Sequence, residues 1–469
     1  MARRVYVIKD LPPETVAVTF AKTSRSPEPF DVIAAGLSDE KSAQFHEKWV
    51  VGYGHSSVAE HAILHIALED ISIVAAKAIE DNRLSSFTEK STRYQVYHPE
   101  RFYHPPHIAD SPLAADYLNA MREIMHIYST EMERAIGWHA AHLPREDGES
   151  DRAFAARCRA KSCDLLRLFL PAGTLTNLGW TVNARQLEYA ISKLLISPLA
   201  ELRDLGQEIR AVALAQVPTL VKYADPNTYL AGLGVEPRSL PPPLAEERHV
   251  AEHAAADAEV RLVDYDPDGE NKVIAALAYP YASSAYDQIL AFVRGLTIEE
   301  KENLLRSAIG DPRSFDHGPR ALEAASYTFE ITIDYGGWRD IQRHRICTQL
   351  AQEFSPQLGY FEPPEFTRIG LADAYRRMRG LSVDTYRRIR EHFPADAVYP
   401  LLLGFRVRAL FDMNLREAYH FARLRSSPQG HASYRRVAAL VWAHISTVHP
   451  LLAGHLPGVH PVDGLSVAG

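Results

Sequence analysis

Residues 327–334, Tyr-Thr-Phe-Glu-Ile-Thr-Ile-Asp, put an apolar side chain at every second position, the period of a strand with one buried face. Residues 63–70 repeat the pattern less cleanly. Elsewhere the apolar period lengthens to that of a helix: over 116–142, 162–169, 184–195 and 199–217 in the first half, and over 371–392, 414–424 and 431–449 in the second. Near the start of each half two short apolar runs flank a turn. They are 4–8 (RVYVI) with 16–20 (VAVTF), and 259–264 (EVRLVD) with 273–277 (VIAAL), and each pair predicts two short strands. A few strands followed by mostly helices, written twice, predicts an α+β fold with a mostly antiparallel sheet and packed helices in each half.

The repetition divides the chain. Three prolines at 241–243 disfavour both helix and central strand. They predict a linker over 238–250 between a first domain, 1–237, and a second, 251–469. The length of 469 residues fits the two to four domains expected at roughly 100–200 residues each.

Composition narrows the function classes. At 46% hydrophobic and 23% charged, the chain is ordinary globular protein. Its 51 Lys and Arg against 59 Asp and Glu give a net charge of −8. That argues against a general nucleic-acid surface while leaving room for a local basic pocket. Cys158, Cys163 and Cys347 are an odd, sparse set with no CxxC, which suits a reducing compartment and no cysteine-built zinc site. The start of the chain has no signal-peptide pattern, and no apolar run reaches membrane-spanning length, so a cytoplasmic protein without membrane contact is expected.

The chemistry concentrates in two polar segments. The first half holds Arg83, Ser86, Glu89, Ser91, Arg93 and Tyr94 within twelve residues; the second holds Arg343-His344-Arg345 and then Glu353-Phe354-Ser355-Pro356-Gln357. Clustered arginines present planar, multi-donor cations suited to phosphates and ring carbonyls. Glu89, Ser91 and Arg93 at alternate positions offer an acceptor, a small donor and a cation on one face of an extended segment.

On these residues the chain resembles the flavin-dependent thymidylate synthase (ThyX) family. Its signature reads Arg-His-Arg-x-x-Ser-x-x-Glu-x-Ser-x-Arg-Tyr, with a Gly-His…Glu-His segment upstream. The first half has Gly54-His55…Glu60-His61 and the Ser86 to Tyr94 part of the signature, but Asp81-Asn82 stand where Arg-His belong. The second half keeps Arg343-His344-Arg345, while its Glu-x-Ser comes two residues late and Gln357 replaces the last Arg. Farther on, Arg167-Leu-Phe-Leu170-Pro171 and Asn183-Ala184-Arg185 match in the first half, with Leu194 and Pro198 in place of a late Arg and His. The second half has Asn414-Leu415-Arg416, Arg425 and His431, but Val398 in place of the Arg before the Leu-Pro turn.

The losses are complementary, and the resemblance implies why. In that family each site is composite: one subunit supplies the Arg-His-Arg with the late Arg and His, another the Glu-x-Ser-x-Arg and the Leu-Pro Arg. The implied site residues are Arg167 and Arg425 as catalytic groups on the pyrimidine. Glu89, Ser91, Arg93 and Arg343, with those two, would bind substrate. Ser57, Glu60, Arg343, His344, Arg345, Asn414, Arg416 and His431 would hold the cofactor. The implied reaction is reductive C5 methylation of dUMP to dTMP, with FAD, methylenetetrahydrofolate and NADPH. The implied assembly is a homodimer forming a pseudo-tetramer. Methylation of another uridine nucleotide, and a non-catalytic flavin- or nucleotide-binding relic, are the alternatives.

Other suggestive segments read as structure. His61 and His65 sit four apart without a His-Glu-x-x-His order, so no metal site is expected. Arg376-Arg377-Met378-Arg379 and Arg387-Arg388-Ile389-Arg390 read as a solvated helix face. Asp266-Pro267-Asp268-Gly269 is a turn, and Gly336-Gly337 lacks the context of a phosphate loop.

Overall fold

The protein is described by a computed structural model over residues 3–37, 56–232, 254–255, 259–310, 313 and 316–461. The expected linker over 238–250 and the Gly54-His55 pair lie outside the described residues.

In the first half, helix α1 (Pro13–Thr23) precedes strand β1 (Ile63–Ser72), helix α2 (Ile73–Glu80) and strand β2 (Ser85–Glu89). Helices α3 (Ala114–His142) and α4 (Asp151–Leu166) follow, then strand β3 (Leu175–Asn183) and helices α5 (Ala184–Leu195) and α6 (Ala200–Leu214). The sheet order is β1-β3-β2, antiparallel throughout.

In the second half, strand β4 (Glu259–Tyr265) is followed by helices α7 (Gly269–Ala278), α8 (Tyr286–Arg294) and α9 (Ile298–Ile309). Then come strand β5 (Ser326–Asp334), helix α10 (Tyr335–Ile341), strand β6 (Thr348–Ala351) and helix α11 (Ala372–Arg390). Strand β7 (Arg406–Asn414) and helices α12 (Leu415–Arg425) and α13 (Ala432–Val448) complete it. The order is β4-β5-β7-β6, again antiparallel. The fold is α+β.

Most of the long helices form where the apolar period places them, but α4 begins at Asp151, well before the expected 162, and β5 buries Tyr327, Phe329, Ile331 and Ile333 on one face. Three of the four short strands expected near the starts of the halves are not strands. Residues 16–20 and 273–277 lie inside α1 and α7. Pro13 opens α1 at a position where its missing N–H costs nothing, and Thr15, Val18 and Thr19, spaced three and four apart, face inward. Five apolar residues alone do not distinguish a buried strand from a helical turn. Residues 4–8 form no strand, leaving Val5 and Val7 exposed, whereas 259–264 becomes β4 by pairing with β5.

The halves repeat in detail. The Asn183 side chain accepts the Gln186 N–H at 2.9 Å and caps α5; Asn414 accepts the Glu417 N–H at 3.0 Å and caps α12. Ser72 caps α2 and Asp334 caps α10. Glu60 pairs with Arg185, and Glu323 with Arg416.

A local two-fold relates the halves where they meet. Ala172 N–H donates to Leu401 O and Leu403 N–H to Leu170 O, both at 2.8 Å. Gly173 N–H donates to Tyr399 O, and Gly404 N–H to Leu168 O. These are reciprocal bonds between equivalent residues of the two Leu-Pro-type turns, the signature of an isologous interface. Arg83 donates to Cys347 O and Arg345 to Ser85 O, again as mates. One apolar core runs through the interface, from Tyr117, Met121, Leu168 and Leu170 to Phe366, Tyr375 and Leu401, while a second fills the space beneath the first sheet.

Candidate active site

Helix α10 carries a buried cation, Arg339, and a half-buried anion, Asp340, and ends beside Arg343 and His344. Arg167, at the end of α4, crosses the interface to meet it. Its Nη1 donates to Asp340 Oδ2 at 2.8 Å, and its Nη2 donates to the Gly336 carbonyl. Gly336 eases this approach, since a Cβ would stand 3.1 Å from Arg167 Nε; at Gly337 a Cβ would press on Ser433 and Ile333. The paired glycines are close-packing positions, not a phosphate loop. Burial pushes the Asp340 carboxyl up, but Arg167, Arg343 and Arg425 outweigh it and hold it at about 2.

Glu89, at the end of β2, pairs with Arg339 and lies 3.5 Å from Arg343. Glu80, at the end of α2, lies 3.9 Å from Arg343 and accepts a long hydrogen bond from Gln342 at 3.4 Å. Burial and the nearby Glu89 carboxylate push Glu80 up to about 7, against the pull of Arg343 and Arg339.

Arg93 follows β2 and also reaches the second half. It donates to Asp164 at 2.6 Å, to the Tyr434 hydroxyl at 2.9 Å and to the Gln429 carbonyl at 2.5 Å. The Ser91 hydroxyl accepts the Arg93 backbone N–H at 3.1 Å. Nδ1 of His431, the residue before α13, lies 3.1 Å from the same Asp164, and its Nε2 is buried without a partner. Burial alone would raise the Asp164 carboxyl, yet His431 and Arg93 hold it well below the usual range.

Arg425, ending α12, donates from Nε to His344 Nε2 at 3.0 Å and lies over the Tyr434 ring at 5.6 Å. A guanidinium only donates, so His344 Nε2 accepts. Its proton therefore sits on Nδ1, directed at Glu417 Oε1, 2.7 Å away. Burial, reinforced by the Arg425 charge, lowers His344 to about 4 despite Glu417, which keeps the ring neutral at pH 7.

One junction thus gathers Glu89, Ser91, Arg93 and Arg167 of the first half with Arg343, His344, Arg425 and His431 of the second, within a single chain. Glu417 and His420 extend it into a cleft of about 460 Å³ that Asn414, Arg416, Arg320 and Arg423 also line. Glu60 pairs instead with Arg185 in the first half, and Ser57 lies on the same short helical turn, Ser56–His61. Arg345 braces the interface through Ser85 O and lies over Phe87. Sequence reasoning missed Asp164, Asp340, Arg339, Tyr434, Glu80 and Glu417. Spacing held a signal for two of them, since Asp164 and Asp340 each precede an expected arginine by three residues, Arg167 and Arg343, the reach of one helical turn.

The local two-fold creates a second junction, and its content differs. In sheet register Glu89 lies opposite Leu178, and the mate position opposite Ala409 is Ala351, not the later Glu353. Val398 stands where Arg167 does, Ala395 where Asp164 does, and Asp81-Asn82 where Arg343-His344 do.

Among the described residues no group of three or more His, Cys, Asp or Glu is placed to hold a metal ion, and no helix is long and apolar enough to cross a membrane. The arginine-rich face of α11 is exposed and partly paired across the interface, Arg377 with Glu123 and Arg388 with Asp116. Asp266 accepts the Gly269 N–H at 3.0 Å, closing the expected turn.

Comparison with known proteins agrees with the duplicated reading. A Chlamydia muridarum protein described as "UPF0159 protein" is 31% identical over 95% of this chain and 90% of its own length. A flavin-dependent thymidylate synthase of Thermococcus kodakarensis is 29% identical over 43% of this chain and 72% of its own. A solved UMP/dUMP methylase PolB from Streptomyces cacaoi, bound with 5-Br dUMP, aligns with 43% of this chain and 95% of that one at 15% identity and a TM-score of 0.36, too loose a likeness to bear on function. Residues 6–219 and 261–451 both match Thy1, the family described as thymidylate synthase complementing protein, and the chain belongs to that family.

Proposed function

We propose that the protein is a flavin-dependent methylase of a uridine 5′-monophosphate, with dUMP as substrate and dTMP as product, and with methylenetetrahydrofolate and NADPH as co-substrates. The observation that carries this reading is the convergence of both retained residue sets on one junction inside one chain. A nucleotide phosphate would take its donors from Arg343, Ser91 and Arg93. Three of the five guanidinium N–H groups of Arg93 are bonded within the protein, so binding either uses the rest or exchanges the Gln429 carbonyl for phosphate. Arg167 and Arg425 would face the pyrimidine carbonyls and charge developing on the ring.

The donor set also fits a diphosphate-bearing dinucleotide. Arg416, Arg320 and Arg423 line a cleft of about 460 Å³, within the roughly 300–1,000 Å³ common for ligand sites. FAD would be held there by Asn414 and Arg416, and by Arg343, His344, Arg345 and His431 toward the junction. A bound flavin supplies the hydride chemistry; the protein orients it and the pyrimidine. His344, neutral and fixed between Arg425 and Glu417, keeps a lone pair and a proton at defined atoms. A homodimer of this chain would hold four family-like units around two such junctions.

A non-catalytic binding role has one observation in its favour: Arg93 and Arg167 already satisfy much of their bonding within the protein. Purification separates the readings. The enzyme is yellow, contains or takes up FAD, and restores growth of a thymidine auxotroph. A colourless protein that cannot be reconstituted with FAD overturns the proposal.

A further inference from the structure

Arg425 hangs on a single hydrogen bond. Among the described residues its guanidinium bonds only from Nε, to His344 Nε2 at 3.0 Å, and the half-buried side chain keeps Nη1 and Nη2 unspent. Neither Nη atom is sealed from solvent. Arg167 and Arg93 differ, since both Nη groups of Arg167 are bonded and Arg93 donates three times. Where the free Arg425 donors point therefore depends on where His344 holds Nε. The His344 ring is fixed in turn. Its Nδ1–H donates to Glu417 Oε1 at 2.7 Å, and the Phe421 ring packs on it at 4.9 Å. With the proton on Nε2 instead, two donors would face each other at Arg425 and a lone pair would face the Glu417 carboxylate.

The duplication separates Glu417 from the framework. Asn414 and Arg416 recur as Asn183 and Arg185, but Gln186 stands where Glu417 does, Asn82 where His344 does and Leu194 where Arg425 does. The Asn82 amide turns to other partners: it donates to Ile79 O and accepts from Lys193 Nζ, both at 2.8 Å. All three links change together between the halves.

We propose that Glu417 is a positioning residue for nucleotide binding: through the His344 ring it fixes the Arg425 guanidinium so that both Nη groups face the pyrimidine. This rests on the reading of the junction as a uridine-nucleotide site. Glu417 itself touches no substrate.

The test is a double-mutant cycle on the full-length chain at saturating FAD, read as dUMP affinity by equilibrium dialysis. Glu417→Leu removes the acceptor and is expected to weaken dUMP about tenfold. Arg425→Leu costs at least as much. In the Arg425→Leu background, Glu417→Leu should change affinity by less than about twofold, because no guanidinium is left to position. Glu417→Gln keeps an acceptor oxygen and should stay within about threefold of wild type. If Glu417→Leu does not fold, His344→Asn, which copies the other half, breaks the same link and completes the cycle with the same expected losses. In the ligand-free chain, nitrogen NMR of labelled histidine should place the His344 proton on Nδ1, in the signal that His344→Asn removes. A folded wild-type chain that binds no dUMP overturns the proposed function and this inference with it. Wild-type binding with additive losses, no rescue by Glu417→Gln, or a His344 proton on Nε2 overturns this inference alone.

Discussion

The two junctions occupy equivalent places in one chain and are built on the same caps, strands and turns, yet one is a knot of charges and the other an apolar pocket. What both halves keep is framework: Asn183 and Asn414 as helix caps, Glu60–Arg185 and Glu323–Arg416 as pairs at the helix starts, Arg83 and Arg345 as braces. What the halves divide is chemistry. Arg167, Asp164 and Glu89 survive only in the first, and Arg343, His344 and Arg425 only in the second. The local two-fold turns these two partial sets into one complete junction and one whose Val398, Ala395 and Ala351 positions line a cavity with Lys77 as its one lining cation. Sequence repeats therefore report the scaffold, and departures from the repeat report the site.

The comparison breaks most readily at Arg167. Arg167→Leu takes away the 2.8 Å partner of the half-buried Asp340, leaving it only the more distant Arg343 and Arg425, and is expected to cost about 2–3 kcal/mol of stability as well as nucleotide binding. Val398→Ala, its mate, removes two methyl groups from a half-buried site and should cost under about 1.5 kcal/mol. Urea unfolding of both variants measures the difference, and equal costs would mean that the junctions are energetically alike. Arg343→Ala comes next. Its ion pairs are long, 3.5 and 3.9 Å, and its side chain is 41% exposed, so stability should fall by less than about 1 kcal/mol. The account gives it a roughly hundredfold loss of dUMP affinity, about 2.7 kcal/mol. Asp81→Ala at the mate position leaves affinity unchanged.

Glu80 sharpens the comparison through pH. It faces Glu89 from β2, Arg339 and Arg343 from the α10 segment, the Gln342 amide, and Arg345 farther out. Its folded value of about 7 exceeds the ordinary 4.5, so the folded state binds the proton more tightly than the unfolded chain. The stability it contributes is present at low pH and is lost as pH rises from about 4.5 to about 7. Glu80→Gln should match wild type near pH 5 and be more stable by about 2 kcal/mol at pH 8, read from urea midpoints. The opposite trend would mean that Glu80 serves as a paired anion. The smallest effect is expected at Gln357, where replacement by Ala should change stability by less than about 0.5 kcal/mol and leave dUMP affinity intact.

Most of the long helices and β5 were legible because their apolar periods are long and regular; the first two thirds of α4, Arg-rich and mostly exposed, were not. Residues 16–20 and 273–277 were not, since a five-residue apolar run fits one face of a strand or one turn of helix equally well. Arg167, Arg93, Arg343 and Arg425 could be named from their motifs, but their partners could not. Asp164 and Asp340 are ordinary helix acids until the fold brings Arg93 and, across the interface, His431 to the first and Arg167 of the other half to the second. Ala351 as the true mate of Glu89 needed the hydrogen-bond register, because the nearby Glu353 imitates the motif two residues late.

The central claim is that one junction per chain, and not two, is competent to hold the nucleotide. Equilibrium dialysis of dUMP against the FAD-loaded full-length chain counts the sites directly. The account predicts one dUMP per chain, lost in both Arg93→Ala and Arg343→Ala although these residues come from different halves. Two bound nucleotides per chain, or full binding retained in either variant, would contradict it.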